Sequence, residues 1–285
     1  MAFTVSDCLI RASALGLPSA ESDLLLLSAL GKSSVGRAWL RLSQQNFVTP
    51  DTAQVFDSLC LRRVNHEPLA YLLGERGFYG LILQIDPRVL DPRSDTETLV
   101  DWALDVLGNL KAPKVADLGT GSGAVALAIQ HQRPDAVVAA VDASADALAV
   151  AQANAERLQL PITCLLGHWL DPLPDGEQDL IVSNPPYIAE GDPHLPALRH
   201  EPTMALTSGP DGLDAIRHII AGAPRALRPG GWLLLEHGYD QGDAVAALLH
   251  ARGFSDVAHR RDLGNHVRCT GGRWLGAHTT DNQGL

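Results

Sequence analysis

The feature that most constrains the fold is an alternation of short apolar runs with helical patterns after residue 97. The apolar runs predict strands and occupy residues 115–118, 137–141, 162–166, 180–182 and 232–236. The amphipathic stretches between them predict helices and occupy residues 123–131, 145–158, 213–227 and 243–252. Such alternation is typical of a mostly parallel sheet covered by helices on both faces. The sequence therefore predicts an α/β fold.

The first 73 residues have a different pattern, with apolar residues at helical spacing and repeated start and stop signals. Ser19 is predicted to cap a helix that ends at Gly31, and Thr49 with Pro50 marks a second helix start. Four or five short helices in a small bundle would satisfy this pattern. Residues 74–96, with three glycines, two prolines and the alternating segment 81–85, predict a β-hairpin linker.

We therefore expect four segments. Residues 1–73 are predicted to form a helical domain, 74–96 a hairpin linker, 97–278 an α/β domain, and 279–285 a disordered tail.

The charge of the chain is acidic and unevenly spread. The formal net charge is −11, and residues 97–285 hold 23 acidic against 13 basic side chains. A negative field repels a phosphate backbone, so we expect no direct binding to nucleic acid. We also expect a monomer.

The sequence gives no sign of a membrane segment or of a disulfide framework. The apolar runs are much shorter than the ~18–20 residues of a bilayer-spanning helix, and Asp7 and Arg11 interrupt the region where a signal peptide would be apolar. The four cysteines are scattered, without a C-x-x-C pair or a Cys/His cluster at zinc spacing. We expect a cytoplasmic protein with reduced thiols, no metal and no membrane association.

A glycine-rich loop follows the strand predicted at 115–118 and opens the next helix. It comprises Asp117 and the segment Gly119, Thr120, Gly121, Ser122 and Gly123. Its spacing is not the G-x-G-x-x-G of dinucleotide binders, and Asp117 would repel a pyrophosphate, so a nicotinamide-dependent oxidoreductase is disfavoured. Asp142 ends the next strand, where a carboxylate can accept both hydroxyls of a ribose.

Together these features favour S-adenosylmethionine as the ligand, with its ribose on Asp142 and its methionine moiety near Asp117. Alternatives remain open for each part. The glycines can simply make a tight turn, and Asp142 can be an acid at a helix N-terminus.

The segment Asn184-Pro185-Pro186-Tyr187 follows the strand predicted at 180–182, at the sheet edge where open parallel sheets bind ligands. Two prolines fix the backbone and leave carbonyl oxygens free to accept hydrogen bonds. The Asn184 side-chain oxygen and the Pro185 carbonyl could accept both hydrogens of a planar NH₂ group, while Tyr187 stacks on it. The alternative is a proline-rich turn with Tyr187 in the core.

These segments resemble class I S-adenosylmethionine-dependent methyltransferases, and more closely the protein-(glutamine-N5) methyltransferases of bacterial peptide chain release factors. The resemblance runs from about residue 67 to 273 and includes the segments 67–75, 78–80, 92–97, 201–202, 209–213 and 236–238. It implies a Rossmann-like fold with a mostly parallel seven-stranded sheet. It also implies methyl transfer from S-adenosylmethionine, which leaves S-adenosylhomocysteine, to the glutamine of a Gly-Gly-Gln loop.

The resemblance also implies that the helical segment 1–73 docks the substrate and that 97–278 is the catalytic domain. It further implies roles for particular residues. Cofactor contacts fall on the glycine loop, Asp142, Trp169 beside the adenine, and Asn184. Substrate contacts fall on Asn184 to Tyr187, with Leu90 lining the glutamine pocket. The alternative for Trp169 is an ordinary core position.

Two positions depart from the pattern of the family. Ser94 stands where a second proline is usual, as in a sister family that acts on a glutamine of a ribosomal protein, and His168 replaces an acidic residue before the tryptophan. Methylation of a ribosomal protein therefore remains an alternative, and adenine-N6 methylation of nucleic acid is a weaker one.

Three other acidic residues have separate expectations. Glu97 could lie near the methionine end of the cofactor or simply begin a helix. Glu201 and Glu236 could order the loop that binds the substrate, but a partly exposed ion pair is the expected outcome for each.

Overall fold

The computed structural model describes residues 3–276, so the tail predicted at 279–285 lies outside the described residues. By its internal contacts the chain divides into two units. The first extends to Arg76 and includes Ile85–Pro87, and the second comprises Gly77–Gln84 and the chain from Arg88 onwards. The predicted domain boundaries at 73 and 96 remain predictions.

The first unit, here the N-terminal unit, is a bundle of five short helices with a small two-stranded sheet. The elements are β1 (Phe3–Thr4), α1 (Val5–Ala14), α2 (Ser19–Ala29), α3 (Arg37–Leu42), β2 (Phe47–Val48), α4 (Pro50–Val64) and α5 (Leu69–Leu73). Leu25, Leu26 and Phe56 lie fully buried at its centre.

The predicted start of α4 is confirmed, because the Thr49 hydroxyl accepts a hydrogen bond from the Thr52 amide and Pro50 is the first helical residue. The predicted capping role of Ser19 is wrong. Pro18 occupies the N-cap position without a side-chain hydrogen bond, and Ser19 already lies inside the helix. The fixed φ of proline favours the extended backbone that such a position requires.

The second unit, here the C-terminal unit, contains a seven-stranded sheet within the described residues. Its elements begin at the hairpin β3 (Glu75–Phe78) and β4 (Leu81–Gln84), whose first strand spans the division between the units. They continue with α6 (Glu97–Leu107), β5 (Lys114–Leu118), α7 (Ala124–Gln132), β6 (Val137–Asp142), α8 (Ala145–Leu158), β7 (Thr163–Leu166), β8 (Gln178–Ser183), α9 (Asp214–Ala226), β9 (Leu227–Glu236), α10 (Gly242–Arg252), β10 (Ser255–Arg261) and β11 (Val267–Arg273).

The sheet has the strand order β10-β11-β9-β8-β5-β6-β7. The strands from β9 to β7 are parallel, whereas β11 pairs antiparallel with both β9 and β10. The predicted α/β class with a mostly parallel seven-stranded sheet is confirmed. The chain proceeds from β5 to one side through β6 and β7, and then returns to the other side at β8. Open parallel sheets bind ligands at the carboxyl ends of the strands beside such a reversal.

The sequence did not predict β10 and β11. The side chains of β10 are mostly exposed, so its strand character leaves little apolar signal. The strand β11 carries Gly271 and Gly272, which pack closely against other elements. A Cβ at Gly271 would lie 2.7 Å from the Leu233 carbonyl oxygen. Glycine has a low propensity for strands, but the close approach of the neighbouring strand's backbone requires a glycine at this position.

Within residues 3–276 no helix is both long and apolar enough to cross a bilayer.

A buried asparagine connects the hairpin to the glycine loop. Asn154 of α8 donates to the carbonyl oxygens of Gln84 (2.9 Å) and Ser122 (3.0 Å), and its own side-chain oxygen accepts from the Gln84 amide (2.7 Å). Its side chain is fully buried. One side chain thus satisfies three backbone groups that would otherwise lack partners.

We expect Asn154→Leu to lower the free energy of unfolding by about 2 kcal/mol, because it removes these three hydrogen bonds and leaves partly buried backbone groups unsatisfied. Urea denaturation measures the change. Gln152→Ala, on an exposed position of the same helix, is the matched control and should cost less than about 0.5 kcal/mol. If the Asn154 variant and the control were equally stable, Asn154 would not stabilise the connection between the hairpin and the glycine loop.

Candidate functional site

The glycine loop turns tightly at the end of β5. Gly119, Gly121 and Gly123 have φ values of 69°, 55° and 82°, a left-handed region that favours glycine. The amides of Gly119 and Thr120 both donate to the carbonyl oxygen of Val141 in β6, at 2.8 and 3.0 Å. The loop is therefore attached to the neighbouring strand, and its shape depends on the sheet.

Asp117 is the buried carboxylate of this loop. Its Oδ2 accepts from the Thr120 hydroxyl (2.7 Å) and from the Ala126 amide (3.1 Å), which lies in the first turn of α7. Burial raises the pKa of Asp117 to about 6, and the two hydrogen bonds oppose this rise. The residue thus orders the loop and also contributes negative charge to the cavity that it lines.

Asp142 stands at the end of β6, opposite the loop. Its Oδ2 accepts from the Gly121 amide and its Oδ1 from the Ser144 amide, both at 2.9 Å. These contacts fix the carboxylate at the cavity wall. Asp142 therefore precedes a helix and also lines the cavity. The sequence had offered these two positions as alternatives.

Trp169 adopts a φ of 51°, which is rare for a bulky side chain and costs backbone strain. Its ring packs on the glycine loop so closely that a Cβ at Gly119 would lie 3.3 Å from the ring. The ring also contacts the main hydrophobic core and lines the larger cavity. The structure thus combines the core position and the site position that the sequence left as alternatives.

Asn184 follows β8, next to the end of β5. Its Nδ2 donates to the Thr96 hydroxyl at 3.1 Å, across the start of α6. The Thr96 hydroxyl also lowers the pKa of the buried carboxyl of Glu236, at the end of β9. The Tyr187 hydroxyl donates to Oε1 of Glu236 at 3.4 Å. A connected group of polar side chains therefore lies behind Asn184.

Two adjoining cavities meet at the carboxyl edge of the sheet. The larger has a volume of about 340 Å³ and the smaller about 50 Å³. They share the wall residues Leu90, Gly119, Gly121 and Asn184. The larger volume falls within the range of roughly 300–1,000 Å³ typical of small-molecule sites.

The structure brings most of the predicted site residues to these walls. Asp142, Trp169 and Pro186 line the larger cavity, whereas Asp117, Thr120 and Ser122 line the smaller one. Three predicted residues lie outside both walls: Gly123, Pro185 and Tyr187.

Two of these three residues have other contacts that the structure defines. Gly123 precedes α7, where a Cβ would lie 3.2 Å from the Cβ of Ala151. The ring of Tyr187 packs against the core, and its carbonyl oxygen accepts from the Gln241 side chain at 3.0 Å. The predicted stacking of Tyr187 on a planar substrate group remains a prediction.

Sequence reasoning missed the segment that covers the other side of the larger cavity, where Pro202, Met204, Ala205 and Thr207 lie. The side chain of Met204 is 60% exposed. No periodicity marks this segment, because it is an irregular connection with a single short 3-10 turn (Thr203–Ala205). An exposed methionine within it was the available signal.

The expectation of a partly exposed ion pair is confirmed for Glu201, because its buried carboxyl pairs at 2.5 Å with the partly exposed side chain of Arg93. It is wrong for Glu236, which is buried and accepts a hydrogen bond from the neutral Tyr187 hydroxyl at 3.4 Å. Burial raises the pKa of Glu236 to about 7. Glu97 begins α6 and accepts from the Tyr79 amide at 2.9 Å, as the helix-start interpretation expected.

Within the described part of the chain, no group of three or more His, Cys, Asp or Glu side chains is placed to hold a metal ion.

We expect Asp117 to make stability depend on pH. Its pKa rises from 3.8 to about 6 on folding, so the folded protein binds this proton more tightly than the unfolded chain does. The folded state is therefore stabilised below about pH 4, and this stabilisation is lost as the pH rises through about 6. Over this pH interval, the free energy of unfolding of the wild type should fall by on the order of 3 kcal/mol relative to that of Asp117→Asn. Urea denaturation at pH 4 and pH 7 measures the difference. Asp146→Asn, which removes an exposed carboxyl, is the control, and a pH-independent difference for Asp117→Asn would contradict the assignment.

Family models match both units of the chain. The PrmC N-terminal domain matches residues 6–74, and the methyltransferase small domain matches residues 96–200. In three dimensions, the T. thermophilus 16S rRNA N2 G1207 methyltransferase, solved with AdoMet and guanosine, superposes with a TM-score of 0.54. It is 20% identical, and the match covers 70% of this chain and 49% of that protein. This likeness concerns the fold.

Curated relatives match nearly the whole chain. The release factor glutamine methyltransferase of Bordetella pertussis is 48% identical over 260 residues, which cover 90% of this chain and 95% of the relative. The protein of the same name from Pseudomonas aeruginosa is 48% identical over 262 residues, covering 90% and 94%. With identity of this extent and both units matched in order, the chain belongs to the release factor glutamine methyltransferase family.

Proposed function

We propose that this protein transfers the methyl group of S-adenosylmethionine to the side-chain N5 of the glutamine in the Gly-Gly-Gln loop of peptide chain release factors. The observation that carries the proposal is the position of Asn184. Its side chain stands at the junction of the two cavities, with its amide nitrogen already bonded to Thr96. The amide oxygen is therefore the atom left to accept a hydrogen bond from a substrate.

The residues of the larger cavity fit S-adenosylmethionine. Gly119 and Gly121 allow the ligand to approach the backbone closely, since neither carries a side chain at the wall. Asp142 offers a fixed carboxylate for the ribose hydroxyls, and the ring of Trp169 offers a flat face for the adenine. Asp117, in the smaller cavity, supplies negative charge for the amino group of the methionine moiety.

When bound, S-adenosylmethionine supplies a methyl group already activated by its positive sulfur. The task of the protein is then to orient a poor nucleophile, because the lone pair of an amide nitrogen is delocalised into the carbonyl. Asn184 Oδ1 and the Pro185 carbonyl accept the two N–H groups, and Leu90 and Pro186 restrict the planar group from the sides. The same acceptors stabilise the positive charge that develops on the nitrogen as it loses planarity. The methylated nitrogen then releases one of its two protons to solvent, with S-adenosylhomocysteine as the other product.

The N-terminal unit is proposed to dock the release factor. Two of its large apolar side chains are strongly exposed: Leu42 at 90% and Phe47 at 77%. Contiguous exposed apolar patches are typical of binding surfaces, and we propose that these two side chains belong to such a patch. We propose that a monomer suffices, that no nucleic acid is bound directly, and that the reaction takes place in the cytoplasm. The four free cysteines support that compartment.

We expect Asn184→Ala to reduce methyl transfer by at least about 100-fold, because it removes an acceptor aimed at the reacting nitrogen. Transfer of labelled methyl to an unmodified release factor, with the Gly-Gly-Gln peptide analysed by mass spectrometry, measures the effect. Asn109→Ala, in the exposed turn that follows α6, is the matched control and should keep wild-type activity.

If the wild type leaves the release factor unmodified, the same assay with ribosomal proteins and with duplex DNA distinguishes the two alternatives. The serine at position 94 favours the former of these. Undiminished transfer by Asn184→Ala would refute the proposed role of the side chain.

We expect the double variant Leu42→Ser/Phe47→Ser to raise KM for the intact release factor by about tenfold, because two apolar docking contacts are lost. Its kinetics on a short Gly-Gly-Gln peptide should be unchanged, since such a peptide supplies only the reacting loop and none of the rest of the factor. Leu263→Ser, an exposed leucine of the C-terminal unit, is the control. An unaltered KM for the factor would place docking elsewhere.

A further inference from the structure

The backbone of residues 184–187 is attached to its surroundings at both ends. At the near end, Ser183 is the last residue of β8, and its hydroxyl donates to the Leu118 carbonyl oxygen at 2.6 Å. At the far end, the Tyr187 carbonyl oxygen accepts from Gln241 Nε2 at 3.0 Å. The two prolines between these ends have no N–H group. The backbone of the segment can therefore donate hydrogen bonds only at its ends.

The two prolines also make the segment stiff. Each ring fixes its own φ at about −65°, and a residue that precedes a proline is restricted to extended backbone. Asn184 and Pro185 both precede a proline. A segment with so few free dihedral angles moves as one piece. A shift of its far end therefore changes the direction of the Pro185 carbonyl and of the Asn184 side chain.

Gln241 precedes α10 and uses both ends of its side-chain amide. Its Oε1 accepts from the Gly238 amide at 2.8 Å, and its Nε2 donates to the carbonyl oxygens of Tyr187 (3.0 Å) and Asp211 (3.3 Å). A backbone N–H can only donate and a carbonyl oxygen can only accept, so a single orientation of the amide satisfies all three partners. Gln241 therefore presents a fixed donor to Tyr187.

Gly212 packs against the same carbonyl oxygen. It has a φ of 77°, and a Cβ at this position would lie 2.2 Å from the Tyr187 oxygen and 2.9 Å from Gln241 Nε2. A Cβ does not fit so close to an oxygen, so only glycine leaves room for the hydrogen bond. Gln241 and Gly212 together hold one backbone oxygen in place.

The residue after Tyr187 extends this attachment to the cavity. The Ile188 amide donates to the Leu206 carbonyl oxygen, and the Ser208 amide donates to the Ile188 carbonyl oxygen, both at 2.9 Å. Thr207 lies between these two partners and lines the larger cavity. The far end of the segment is thus joined to the irregular connection that covers the cavity.

We propose that Gln241 is a positioning residue for methyl transfer. By holding the Tyr187 carbonyl oxygen, it sets the direction in which Asn184 and Pro185 present their acceptors to the substrate nitrogen. Gln241 lies outside the walls of both cavities, so it acts through the stiff segment. This inference rests on the proposed function and extends it to a residue beyond the substrate contacts. A misplacement of about 1 Å can reduce a rate on the order of 100-fold, so a remote attachment can control kcat.

The first test compares Gln241→Glu with Gln241→Met. Glutamate has nearly the same shape and keeps an acceptor for the Gly238 amide, but it places an oxygen against the Tyr187 carbonyl. Methionine has a similar length and removes every polar contact. We expect kcat to fall roughly 10- to 100-fold in both variants, while KM for S-adenosylmethionine changes by less than about threefold. If only the contact with Gly238 mattered, Gln241→Glu would keep the wild-type kcat.

Hydrogen exchange measures the attachment without using activity. In Gln241→Glu we expect the amides of Ile188 and Ser208 to exchange about tenfold faster than in the wild type, whereas the amide of Val182, inside β8, keeps its rate. A global loss of stability would accelerate all three. Gln132→Glu, the same change at an exposed position of α7, is the control and should alter neither kcat nor exchange.

A further variant moves the same carbonyl oxygen in another way. In Gly212→Ala the added methyl group meets the Tyr187 oxygen, and the positive φ adds backbone strain. Gly191→Ala has the same kind of strain, at a φ of 81°, but of the described residues none beyond its chain neighbours would lie within 4 Å of the methyl group. We expect kcat to fall in Gly212→Ala and to stay at the wild-type level in Gly191→Ala.

The two hypotheses fail in different ways. If the wild-type enzyme does not methylate the release factor, the proposed function fails, and the positioning role fails with it. If the wild type is active and folded Gln241→Glu retains its kcat, or if Ile188 exchanges no faster in that variant, the positioning role alone is refuted. A loss of kcat with faster exchange at Val182 also refutes it, because the defect is then global. A fall in kcat with faster exchange confined to Ile188 and Ser208 supports it.

Discussion

Parallel pairing of β5 with both β6 and β8 is the constraint on which the site depends. Val115 pairs with Val138 on one side and with Leu180 on the other, so all three strands run in one direction and end at one edge. The residues after each strand are thereby brought together, although they are far apart in sequence. The glycine loop, Asp142 and Asn184 each lie at the end of a buried apolar strand. Their proximity follows from the pairing of the strands.

The loop shows how the sheet determines the shape of the site. Two of its amides donate to Val141, and Asp117 accepts from α7, so the backbone between the strand and the helix has few alternatives. The loop residues with a left-handed backbone conformation are glycines. Trp169 also adopts a left-handed conformation, despite its large side chain. The core contacts of its ring offset that strain. A strained, well-packed ring on a glycine is a preformed surface for a flat ligand.

The sequence was sufficient to predict the parallel sheet and most of the residues that line the two cavities. Buried strands produce apolar runs in the sequence, and the loops that bind ligands follow those strands. It was insufficient where the signal depends on contacts with distant residues. Gly271 lies in a strand because the neighbouring strand approaches it closely, and Met204 lies at the cavity because an irregular segment returns to the sheet edge. Periodicity contains no information about either. The burial of Glu201 and Glu236 was missed for the same reason, since their partners Arg93 and Tyr187 are distant in sequence.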